Sequence, residues 1–180
     1  MTGTRWKEIF PTLRAALNTR LNVASLAGSG DARPFDDSRS AQARGNHDLL
    51  RLLADQGDAT AQNELGGMYA NGRGTEQDPA QAVKWWRKAA DRGYAPAQFS
   101  LGSMYEKGVG VPRDYVQAYK WYSLAALRFP ASDPVNAAIA SEFGKSLAAK
   151  MPRALVDEAE RLASEWVPAA DAGTGPGRAR

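Results

Sequence analysis

The chain has 180 residues, 43% of them hydrophobic, enough to bury the core of one ordinary domain or of a repeat array with tails. It has no cysteine and a single histidine, His47, which excludes disulfides, thiolate or histidine-rich metal sites and cysteine nucleophiles. The net charge of +3 sits at the ends: residues 1–45 hold seven basic and four acidic side chains and residues 168–180 two and one, whereas residues 46–167 hold 14 and 15, so nucleic acid is a disfavoured partner for the folded part.

From the start, Trp6, Ile9, Phe10, Leu13, Leu17 and Leu21 fall near one helical face, Arg5, Lys7, Arg14 and Arg20 add positive charge, and Pro11 interrupts the pattern. Three readings stay open: a helix covering the open end of the following array, a disordered tail, or a helix docking on a partner or a membrane surface. A membrane role would therefore rest on residues 5–26. Residues 28–45, with Gly, Ser, Asp, Arg and Pro and little to bury, read as a polar linker and complete an N-terminal segment over 1–45. No run reaches the roughly 18 apolar residues of a membrane helix, and the N-terminus lacks a signal-type apolar run. The expected location is cytoplasmic as written, or periplasmic if the true start lies upstream. His47 precedes the next helix without a nucleophile in any recognisable motif and reads as solvent-exposed or capping.

Residues 49–56, followed by Gly57-Asp58-Ala59, look like the second helix and exit turn of an incomplete unit, because Gly57 lies 36 before Gly93. The same shift superposes two full units. Ala61, Gln62, Leu65, Gly66, Met68 and Tyr69 fall on Ala97, Gln98, Leu101, Gly102, Met104 and Tyr105. The match continues through Gly72, Gly74, Asp78, Ala82, Lys84, Trp85, Ala89 and Ala90, which fall on Gly108, Gly110, Asp114, Ala118, Lys120, Trp121, Ala125 and Ala126.

Each unit reads as two antiparallel helices. The first carries Ala61, Leu65, Met68 and Tyr69 as an apolar stripe, with Gly66 allowing a neighbouring backbone to come close. It ends at Asn71 and Gly72, where glycine supplies the positive φ of a helix end. The G-x-G spacing follows a helix and not a strand, and it lacks a third glycine or a Gly-Lys-Ser/Thr ending, so it reads as a turn and not a phosphate cradle. The second helix opens with Asp78 as N-cap, Pro79 and Gln81, repeated by Asp114 and Gln117. It buries Ala82, Trp85, Trp86, Ala89 and Ala90, matched by Ala118, Trp121, Tyr122, Ala125 and Ala126. Capping also explains the recurring Asp78 and Asp114 without a paired-acid role.

After the second unit the register slips. Phe129-Pro130 stands where glycine is expected, a helix starts at Asp133-Pro134, and a last amphipathic helix follows Pro152 with Leu155, Val156, Ala159, Leu162, Ala163 and Trp166. These helices read as the cap that closes the apolar end of a repeat array. Leu124 and Leu127 replace Lys88 and Asp91 of the first unit, as burial against such a cap requires. Residues 168–180 read as a disordered tail.

The pattern A-Q-x-x-L-G-x-M-Y-x-x-G-x-G-x-x-x-D-x-x-x-A-x-K-W, closing in K-A-A-x-x-G in the first unit, resembles the bacterial Sel1-like repeat family, a TPR-like group. The units at 61–96 and 97–132 carry it, with partial matches from about 46 and to about 167. The resemblance implies an all-α, right-handed α/α superhelix with a C-terminal helical cap over 46–167, without cofactor or metal. It further implies a non-enzymatic adaptor or scaffold, monomeric, that binds another protein or peptide. A cysteine-rich branch of the family is associated with β-lactam chemistry, and this cysteine-free chain departs from it.

Repeat-defining residues are scaffold, so binding is expected where the units differ: on the concave surface lined by the first helices, at Asn63, Glu64, Gly67, Asn71, Phe99, Ser100, Ser103, Glu106 and Lys107. Phe99 is either an outward anchor for a partner or part of the packing between first helices. Two alternatives from other classes remain: a hydrolase using acidic side chains, and basic-tail binding to anionic membrane or nucleic acid. The first needs two convergent carboxylates, which the sequence offers only at caps.

Overall fold

The structure, a computed structural model, describes residues 35–169, with side chains from residue 45 onward. The readings made for residues 5–26 lie outside the described residues. Within them are seven α-helices and no strand: α1 (Phe35–Asp55), α2 (Ala59–Asn71), α3 (Pro79–Asp91), α4 (Ala95–Lys107), α5 (Tyr115–Arg128), α6 (Pro134–Ala148) and α7 (Arg153–Ser164). Each helix packs on its chain neighbour from α1 to α6, and α7 returns onto α5. The result is an all-helical solenoid with two complete helix pairs, α2/α3 and α4/α5, a half-unit before them and two closing helices after.

The helix ends form where the caps are written. The Asp78 carboxylate accepts the N–H groups of Ala80 and Gln81 at 3.0 Å, and Asp114 accepts that of Gln117 at 3.0 Å. Asp58 and Asp133 do the same for Ala61 and Asn136. Each such cap stabilises its helix by about 1 kcal/mol. At the other ends, Gly72 and Gly108 adopt φ of 65° and 68° and return their N–H groups to the carbonyls of Met68 and Met104.

Two devices tie the units together. Trp85 and Trp121 are buried with the alanines around them, and burial of roughly 200 Å² each is worth up to about 5 kcal/mol at ~25 cal/mol per Å². The glutamine of each Ala-Gln pair reaches back to the previous helix: Gln62 Nε2 donates to the Ala54 carbonyl at 2.9 Å, and Gln98 Nε2 to that of Ala90 at 3.1 Å. Each carbonyl also takes the N–H of the glycine three residues on, Gly57 at 3.0 Å and Gly93 at 2.9 Å, so the amide adds a second bond at the helix end. The half-unit is therefore joined to α2 just as α3 is joined to α4.

Gly66 and Gly102 make room for a ring more than for a backbone. A Cβ at Gly66 would lie 2.5 Å from Trp86 Nε1, and one at Gly102 would lie 2.9 Å from a ring carbon of Tyr122. Trp86 then donates its indole N–H to the Asn63 carbonyl at 3.1 Å.

Three expectations are corrected. The stretch 28–45 is not a linker throughout, because α1 begins at Phe35 and crosses the boundary placed at 45. Residues 35–44 contain neither proline nor glycine and are rich in helix formers, and Gly45 inside the helix costs only about 1 kcal/mol. Leu124 is buried as expected, but Leu127 is 80% exposed, since nothing in the cap covers the last turn of α5 at that position. His47 is neither free in solvent nor a cap. Its side chain is 14% exposed, its ring sits edge-on to Tyr69 at 5.4 Å, and Nε2 lies 3.2 Å from the Tyr69 hydroxyl.

The chain leaves α7 and runs back across the ends of the second helices. Trp166 meets Trp121 edge-to-face at 6.2 Å and lies 4.4 Å from the Arg128 guanidinium carbon. Ala169 donates its N–H to the Asp91 carbonyl at 2.7 Å, so the tail expected from 168 is held at its first two residues, and 170–180 lie outside the described residues.

Candidate partner-binding surface

The nine candidate residues lie on the first helix of each pair, α2 and α4, and burial divides them. Phe99 is 8% exposed and packs against Tyr122 and Phe143, both with ring centroids at 5.3 Å, while Ser103 is 4% exposed. Neither is available to a partner. A register argument places both off the repeated stripe, but α6 supplies Phe143 as a neighbour that α2 has no counterpart for, and the face of α4 is covered from that side.

The remaining seven reach solvent. On α2, Asn63 and Glu64 are half-buried, Gly67 has no heavy atom within 4 Å of where a Cβ would stand, and Asn71 is exposed. Asn71 donates to the Gly67 carbonyl at 2.7 Å, which closes the helix end locally. On α4, the Ser100 hydroxyl donates to the Pro96 carbonyl at 3.0 Å, Glu106 is half-buried, and Lys107 is exposed.

Burial raises the Glu64 carboxyl above its ordinary value, a shift opposed by Arg73 and reinforced by Asp58. Lys107 is lowered by burial, with Glu106 acting against it. Glu106 accepts the Tyr122 hydroxyl at 2.7 Å, and Tyr122 is pushed well above the ordinary phenol range by burial first and by this carboxylate second. The surface thus offers two partly desolvated carboxylates, two amides, a hydroxyl and an ammonium. Groups so spaced suit hydrogen bonding to a peptide backbone and its polar side chains.

A second charged cluster escaped the sequence reading. Asp91 at the end of α3 is raised by burial and held down in part by Arg87 and Lys120, and Lys120 is lowered by burial. Arg87 also donates to the Tyr105 hydroxyl and lies 5.6 Å from the ring. One carboxylate between two cations is not a convergent acid pair, and Asp78 and Asp114 are engaged as caps. Among the described residues there is no group of three His, Asp or Glu arranged to hold a metal, and no helix is long and apolar enough to cross a membrane.

The family model of the Sel1 repeat matches residues 59–94 and 95–128, the two complete helix pairs. Among solved structures, a protective antigen present in uropathogenic Escherichia coli strains and displaying an SLR fold is similar over 92% of this chain and 32% of that chain, with 27% identity and a TM-score of 0.64. A Sel1 repeat protein from Oxalobacter formigenes is similar over 54% of this chain and 26% of that one, with 36% identity and a TM-score of 0.49. The chain therefore spans about a third or less of the length of both. No curated protein matches it.

Proposed function

We propose, from the premise that this chain carries two Sel1 repeats, units that generally serve to bind other proteins, that it is a non-enzymatic adaptor holding a segment of a partner protein. The partner lies on the outward face of α2 and α4, at Asn63, Glu64, Gly67, Asn71, Ser100, Glu106 and Lys107. One observation carries the reading: the residues that interlock the two units repeat at a spacing of 36, while the solvent-facing positions of the first helices differ between units. Glu64, Ala70 and Asn71 stand where the second unit has Ser100, Glu106 and Lys107, so the scaffold is constant and the exposed chemistry is not.

The test is site-specific photo-crosslinking in lysate of the native host, with a photoreactive residue placed in turn at Asn63, Asn71 and Ser100 and, as a comparison, at the exposed Lys84 of α3. Capture of one protein from the three α2/α4 positions and not from Lys84 supports the reading. Capture of nothing, or of the same proteins from all four positions, overturns it.

A further inference from the structure

Trp166 fills a cleft between consecutive second helices, and the repeat supplies the same cleft one unit earlier. The occupied cleft is built from Gly93, Arg128, Trp121 and the Asp91 carbonyl that receives Ala169. A Cβ at Gly93 would stand 3.7 Å from Trp166 Cη2 and 3.5 Å from Arg128 Nε, so the absence of a side chain there admits the ring. Subtracting 36 gives Gly57, Arg92, Trp85 and Asp55. Gly57, Arg92 and Asp55, with Lys88, Asp91 and Ala169, line an open cleft of ≈ 380 Å³, and Trp85 is covered by Lys88.

The earlier cleft differs from the occupied one in two ways. Arg92 has moved inward, with Nη2 2.8 Å from where a Cβ of Gly57 would be, into space that Trp166 shares at Gly93. Lys88 replaces Leu124, and its ammonium covers Trp85 at 3.8 Å from the ring centroid, with Arg51 at 5.4 Å. Asp55 is paired with Arg51 at 3.4 Å, whereas neither Lys88 nor Arg92 has a carboxylate within ion-pair distance among the described residues. The cleft thus keeps the glycine and the arginine of a tryptophan site and adds one cation, Lys88.

We propose that this cleft is a docking site for an extended segment of a partner protein bearing a tryptophan beside a carboxylate, which enters as Trp166 enters the cleft one unit later. The indole displaces the Arg92 guanidinium from Gly57 and lies beneath it, a cation–π arrangement like that of Arg128 and Trp166. The neighbouring carboxylate pairs with Lys88 and draws it off Trp85. The chain's own Glu165-Trp166 shows the same order of acid and indole. This site lies at the ends of the second helices, apart from the α2/α4 face, so the two can fail independently.

The probe is the acetylated and amidated peptide Ser-Glu-Trp-Val-Pro-Ala, the sequence of residues 164–169, titrated into the ¹⁵N-labelled full chain and followed by amide shifts. The expected result is saturable shifts at Gly57, Lys88 and Arg92, lost when Ala replaces Trp in the peptide. Arg92→Ala should weaken binding about threefold or more, and Lys88→Ala should weaken binding of this peptide but not of its Gln version. The peptide substitutions leave the protein untouched, so a folding defect in a variant does not obscure the outcome. Shifts confined to Gly93 and Arg128, which would mean displacement of Trp166 from its own cleft, overturn the proposal. Equal binding of the Ala peptide, or no shift at Gly57 at millimolar peptide, does so too.

Discussion

Trp86 lies flat in the notch left by Gly66, with its Nε1 2.5 Å from the point where a side-chain carbon would begin. Gly66→Ala therefore sets a gain of about 1 kcal/mol in helix propensity against an overpacking cost of about 1–3 kcal/mol, and a net loss of stability is expected. Gly67→Ala, one position on and open to solvent, should instead gain up to about 1 kcal/mol. Urea unfolding of both variants checks the pair, and opposite signs are the expected outcome.

Gln98 is fully buried and holds the last turn of α3 through the Ala90 carbonyl. Gln98→Leu keeps the bulk and removes this bond, while the carbonyl keeps the Gly93 N–H at 2.9 Å, for an expected loss of about 0.5–1.5 kcal/mol. Thermal unfolding measures it, with no loss as the contrary result.

Removing Trp166 takes away an aromatic pair and a cation–π contact, worth together about 1–2 kcal/mol. Trp166→Ala should lower stability by that amount and raise hydrogen exchange at the Ala169 amide, which the Asp91 carbonyl otherwise holds. Unchanged exchange at Ala169 would show that the tail is held without its indole.

The raised Tyr122 phenol makes a statement about alkaline stability. Its proton is held more tightly in the folded chain than in the unfolded one, where a phenol titrates near 10. The unfolded state thus binds fewer protons above that pH, and stability falls as pH rises from about 10 upward. Tyr122→Phe should flatten this fall, at the expense of the hydrogen bond to Glu106 at lower pH. Melting temperature measured from pH 8 to 11 for both proteins decides it.

Glu64 carries the same sign at lower pH, because ionising a half-buried carboxyl raised by burial opposes folding near neutral pH. Glu64→Gln is expected to keep or raise stability at pH 7 while weakening partner capture. Loss of both together would mark Glu64 as structural.

Much of the fold was legible because the repeat states each rule twice. Asp78 and Asp114, Gly72 and Gly108, and Trp85 and Trp121 could each be read against a partner 36 residues away, and all six stand where the pattern put them. The readings left open or corrected fall mostly at the edges of the repeat. Phe99 faces Phe143 of α6, a helix outside the repeat, so register alone left open whether it met a partner or the packing. The early start of α1 was hidden because seven of its first ten residues are polar, and polarity describes a solvent-facing helix as well as a linker. The Trp166 site needed distance in sequence to be closed, since Trp166 and Trp121 are 45 apart in a register that has already slipped.

The matched bonds Gln62 to Ala54 and Gln98 to Ala90 make the junction before the first pair interchangeable with the junction before the second. A tandem copy of residues 59–94 inserted after Gly93 and Tyr94 would meet a familiar surface at both of its seams. No geometric closure thus limits the number of 36-residue units, and a further unit could enter before α6 and α7 without redesign of either seam.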